Sequence, residues 1–415
     1  VGAIAVVVIF SQHSGDDTTT PATPSTPDRQ TADNTDESPQ TELAVDDAAD
    51  EADRVPTPPT PQPEPDPQPV EIAAVGQLVV LEATESQPEP VIGNDAADPQ
   101  ENPWAMKVVL SPWGASVKSI HLSRYSHDAL EHDPYQIQSK IEHVQPNGAT
   151  AVRYPLAAQA VTVNGQTLPL SNMRWTFDEA ASDETNKVFT IDIGDAESRT
   201  PMLRLTRTYH LKPGYTDEQG KFVEGRYDLK LRQTFKNLTT ASLKIQFSQF
   251  GQADMPYTKS YMGDRRTVVA GYLQPNYDKS RTVVFIDGMQ YSRKDVMSDP
   301  DRAQLWPTDR SQEKAYELVF IAEANRYFTT AVHGLTRTFK TESGESVERA
   351  TPLDQTFPLV RRSVLGNTES GYFLPTLSSS QIVIEGGKSA DLSVAFFAGP
   401  KAPDIIEDDP VYTAL

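Results

Sequence analysis

The chain has no cysteine among its 415 residues. That excludes disulfides, thiolate metal sites and a cysteine nucleophile, and it leaves the redox compartment open. Long helical periodicity is missing almost throughout. So are the glycine-rich, Gly-x-Ser-x-Gly and His-Glu-x-x-His patterns that would announce nucleotide binding, a serine hydrolase or a zinc protease. Gly214 to Lys221 looks like a phosphate loop only at first sight, because Phe222 stands where Ser or Thr is required. Basic residues are scarce in the first quarter. Ser11 to Pro103 carries 21 acidic residues and only two basic ones, Arg29 and Arg54. Trp104 to Leu415 holds 37 acidic and 35 basic residues and is nearly neutral. The leading segment therefore carries 2 − 21 = −19 of the net charge of −21. Neither part has the basic face of a nucleic-acid binder.

That acidic segment holds 16 of the 33 prolines in under a quarter of the chain. Residues 14–73 combine Thr-Pro repeats, the acidic patch Asp46 to Asp53 and Pro-x-Pro repeats. Such a composition buries too little apolar surface to offset its ordering entropy, and it reads as an extended linker spanning about 40 Å. Before it, residues 1–13 open with the uncharged run VGAIAVVVIF. A buried strand or a signal-peptide core has this composition, as does the end of a transmembrane helix. The third reading is preferred here, and the absence of Lys or Arg before Arg29 places the linker on the non-cytoplasmic side.

Residues 74–400 have strand texture. Apolar side chains recur at every second position, which buries one face and wets the other. The clearest case runs from Leu203 to Phe250 and reads as three successive strands of one antiparallel sheet: Leu203 to Leu211, Tyr227 to Phe235 and Leu243 to Phe247. Arg207 and Gln233 interrupt its apolar rows. Further short strands are expected at Leu78 to Leu81, Met106 to Leu110, Val117 to Leu122, Val188 to Ile193, Val283 to Ile286, Tyr316 to Ile321, Tyr327 to Val332, Ser346 to Arg349, Gln381 to Ile384 and Leu392 to Phe397. Asn164-Gly165 between Val161 and Leu168 is a type I′ hairpin signal. Many short strands with turn chemistry between them predict an all-β fold, a large antiparallel sandwich. Residues 401–415 change texture. Ile405, Ile406, Val411 and Leu415 sit among acidic residues, as in a short amphipathic helix close to a membrane.

Four segments resemble the periplasmic region of the YidC family of bacterial membrane-protein insertases. They are Met106 to Leu122, with Gly114-Ala115 between two strands; Leu203 to Leu211 with Gly214 and Tyr227; Glu323 to Ala331, containing Tyr327-Phe328; and Gly386 to Lys401, closing on Gly399-Pro400. Tyr257 to Asp309 and the acidic linker depart from the family pattern. The resemblance implies a galactose-mutarotase-like β-supersandwich and a periplasmic accessory domain anchored to the inner membrane. It also implies partners among Sec translocon components and nascent inner-membrane proteins. It implies no catalysis, cofactor, metal or nucleic acid. The membrane core that performs insertion in that family would follow Leu415.

The rival reading is a sugar-binding module, or an epimerase with His and Glu converging on a sugar carbon. No recognisable motif pairs a histidine with a glutamate. Trp113, Trp175 and Trp306 could stack on a sugar, although burial is the plainer role for each. His127-Asp128 and His132-Asp133 are spaced for neither a helix face nor a strand pair, and they read as a solvated loop rather than metal ligands.

Overall fold

A computed structural model describes residues 76–98, 102–127, 133–216, 222–223, 225–257, 264–275, 290–340, 344, 346–366 and 371–406. Backbone contacts divide the chain into Val1–Asp66 and Pro67–Leu415, and every described residue belongs to the second unit. The expected strand Val283 to Ile286, the apolar run, the linker, Val411 and Leu415 lie outside the described residues.

The expected all-β architecture is the observed one. A ten-stranded antiparallel sheet has Leu78–Leu81 at one edge. It proceeds through Asn186–Asp195, Pro201–Leu211, Asp228–Asn237, Ser389–Pro400, Phe328–His333, Glu317–Ala324 and Thr267–Leu273 to Gln290–Ser292. A seven-stranded sheet faces it, centred on Leu243–Phe250 between Tyr372–Ser378 and Ala158–Val163. A four-stranded sheet, built around Met106–Ser111 and Ser116–Ser126, adds its apolar face to the same core.

Period-two patterning explains the register. Ile191, Leu205 and Phe235 lie side by side on neighbouring strands, and Tyr209, Leu231 and Val394 form a second inward row. Phe235 meets Phe247 of the facing sheet edge-on, ring centroids 5.1 Å apart. Apolar area removed from water in this seam is the main stabilising term.

One expectation fails here. The Leu243–Phe250 strand does not pair with Asp228–Asn237; it crosses to the facing sheet, and Ser389–Pro400 takes the vacated place. The crossing is fixed at Asn237, whose buried amide donates to the carbonyls of Ala241 and Ile384. Both connected strands bury one face, so alternation alone cannot separate a hairpin from a crossover between sheets. The Asn164-Gly165 hairpin forms as expected, with φ of 47° and 88° at the two turn residues. Two short helices, Arg293–Ser298 and Asp309–Glu313, were not foreseen. The first lies in the region that departs from the family pattern, and the second starts at its end. No helix among the described residues is long and apolar enough to cross a membrane.

Candidate functional site

A cleft of about 820 Å³ opens where the four-stranded sheet meets the seam between the two larger sheets. The loop after Phe250 supplies Asp254 to Tyr257, and the Ser116–Ser126 strand supplies His121. Its inner wall is an ion cluster. Arg293 donates from Nε to Asp254 at 2.7 Å and from Nη2 to the same carboxylate at 2.5 Å. The Phe373 N–H donates to Asp254 at 2.9 Å, and Arg266 stands 3.7 Å away. Arg266 also binds Asp264 and donates to the Met255 carbonyl. Deeper still lies Glu323, fully buried, accepting from the Met255 N–H at 3.0 Å. Burial, then the neighbouring Asp254 carboxylate, pushes Glu323 well above the usual glutamate range. Burial works against the charge on Arg266 and Arg293, but their carboxylate partners more than compensate and hold both above the usual range.

The cluster joins both large sheets. Glu323 and Arg266 belong to the ten-stranded side, and Asp254 and Phe373 to the seven-stranded side. Two tyrosines flank the opening, Tyr257 at 54% exposure and Tyr372 at 38%, and the Arg266 guanidinium lies over the Tyr257 ring at 5.6 Å.

No family model matches the chain, and no curated protein matches it. Solved structures do. Slr1438 from Synechocystis sp. PCC 6803 covers 77% of this chain and 100% of its own at 10% identity and a TM-score of 0.38. A galactose mutarotase related enzyme from Lactobacillus acidophilus covers 75% and 97% at 11% identity, TM-score 0.40. The GalM/aldose epimerase homologue from C. elegans covers 75% and 99% at 9% identity, TM-score 0.38. These values carry no argument about substrate or chemistry.

The residues singled out from sequence fall in several places. Ile405, expected as a membrane-proximal contact, packs partly against the core from the helical turn Pro403–Ile406. Ile406 ends that turn, and Val411 and Leu415 lie outside the described residues. Trp175 and Trp306 are buried, whereas half-buried Trp113 stacks under Arg174 at 5.0 Å. His127 and Asp133 both line the cleft; Asp128 and His132 are outside the described residues. Among the described residues no cluster of His, Asp and Glu is arranged to hold a metal. His333 is buried against Asp228 at 3.3 Å and the Gly334 carbonyl. Sequence reasoning missed Asp254, Glu323, Arg266 and Arg293. The available signal was a charged residue inside an apolar strand: Glu323 interrupts the run Leu318 to Ala324.

Proposed function

We propose that this chain is the periplasmic β-domain of a YidC-family membrane-protein insertase. In this reading it is a non-catalytic surface, anchored at the inner membrane, that helps nascent membrane proteins insert and fold, with or without the Sec translocon. The reading is carried by where the four resembling segments meet. Gly114 and Ala115 of the first are gripped by Arg207 and Tyr209 of the second. Phe328 and Thr329 of the third pair in register with Pro400 and Gly399 of the fourth, and the Lys401 N–H donates to the Tyr327 carbonyl. Segments far apart in sequence thus form two structural joints. That is the part a shared domain architecture would impose.

The cleft supports a structural role for its acids. Asp254 is committed to Arg293 and the Phe373 N–H, and Glu323 is sealed from solvent. Neither is presented to a substrate as a free general acid or base would be. The test is co-purification of Sec components with the membrane-embedded parent protein, with and without residues 104–400. Loss of partners on deletion is expected; unchanged recovery overturns the proposal.

Tyr257 and Tyr372 at the cleft mouth favour a second reading, a non-catalytic carbohydrate-binding module, because exposed aromatic faces beside polar groups suit sugar rings. Calorimetric titration with a glycan panel separates the two: saturable binding abolished by Tyr257→Ala supports it, and no heat removes it.

A further inference from the structure

Arg207 is buried between the two large sheets, and no carboxylate among the described residues pairs with it. Its Nη1 donates to the carbonyls of Gly114 and Ala115, each at 3.0 Å, and its Nη2 to Gln249 Oε1 at 3.1 Å. Those are dipoles, not a counter-charge. Gln233 stands directly opposite Arg207 on the adjacent strand and is also buried. The facing position is fixed one step further along, where Phe235 touches Phe247; Gln233 and Gln249 are the next inward residues on the same two strands. Three buried donor groups here lack a hydrogen-bond partner: Arg207 Nε, Gln233 Nε2 and Gln249 Nε2. Only one acceptor, Gln233 Oε1, is in the same condition.

That imbalance has a chemical meaning. Buried donors are costly unless satisfied, and an unpaired buried cation is costlier still. A water molecule both donates and accepts, so water fits a balanced set. A set rich in donors around a positive charge fits a small species that only accepts and carries negative charge. Phe189 and Leu392 close the two ends of the Arg207–Gln233 row, so the species must be compact and monovalent. We propose that Arg207, Gln233 and Gln249 form an internal halide site that takes up chloride as the two sheets close. The proposal is independent of the insertase reading.

The site is enclosed, so the anion enters during folding. The full chain is refolded from denaturant in sodium chloride or sodium gluconate at equal ionic strength, and its thermal midpoint is recorded. A ligand that binds only the folded state raises the midpoint by about 2–3 °C for each tenfold rise in concentration above its dissociation constant. That dependence is expected for the natural chain and is expected to vanish in Gln233→Leu, which removes a donor without disturbing the guanidinium contacts. Crystals grown after refolding in bromide should show an anomalous peak within hydrogen-bonding reach of Arg207 Nε. A midpoint insensitive to the anion, equal chloride dependence in Gln233→Leu, or density for water alone beside Arg207 would each overturn the assignment. If Gln233→Leu does not fold, the natural chain's anion dependence and the bromide map decide the matter.

Discussion

The Arg207 seam and the Asp254 cluster lie between the same two sheets and are balanced in opposite ways. At Arg207 one guanidinium meets only carbonyls and amides. At the second site two guanidiniums pair with Asp254 and Asp264, and burial, then the Asp254 carboxylate, pushes Glu323 beside them well above the usual glutamate range. From the chain itself the first charge receives only dipoles, and the second receives opposite charge. A buried cation surrounded by dipoles can be replaced by an apolar side chain at modest cost. A buried ion cluster cannot lose one member without stranding the others.

The largest effect is therefore expected from Asp254→Asn. It leaves Arg293 and Arg266 facing a neutral amide in a largely buried setting, and the expected loss is about 3–5 kcal/mol in urea unfolding. Arg207→Met should cost less, about 1–2 kcal/mol. The reason is local: the Gly114 carbonyl keeps the Ala158 N–H, and the Ala115 carbonyl keeps the Tyr209 hydroxyl at 2.6 Å. Equal losses for the two variants would erase the distinction. Glu323→Gln sharpens it through pH. Because the folded carboxyl holds its proton beyond the pH at which the unfolded one releases it, the folded state binds more protons in that interval. Stability is then full below the unfolded value and declines as pH rises through the folded one. The amide should abolish that decline, leaving a flatter stability–pH profile above about pH 5. The smallest effect belongs to Arg232→Ala. This residue pairs with Asp391 across two strands but is 64% exposed, so a loss of about 0–1 kcal/mol is expected, shrinking with added salt.

Much of the architecture was legible because period-two alternation directly encodes which face of a strand is wet. Leu203, Leu205, Tyr209 and Leu211 are all buried, as their spacing requires. Alternation also marked Arg207 and Gln233 as breaks, and they are in fact inward-facing partners in register. It did not say to which sheet a strand belongs, so the crossover at Asn237 was invisible. The cleft was hidden for a related reason. Asp254, Arg293 and Glu323 are spread over some seventy residues and converge only through tertiary packing, leaving no local motif. In sequence Gly114 and Ala115 only separate two strands. Their left-handed φ values of 64° and 43° do more, because they allow two consecutive carbonyls to be taken by one guanidinium. A side chain at Gly114 would meet Ala157 Cβ at 3.0 Å.

The strand Ser389–Pro400 is among the last described segments in sequence, yet it sits in the middle of the largest sheet, between Asp228–Asn237 and Phe328–His333. On a ribosome, everything made before it can build only two half-sheets, each with an unpaired strand edge open to self-association. Completion waits for one late insertion that zips both halves at once. A nascent chain stalled before residue 389 is thus the form of this protein most in need of a chaperone.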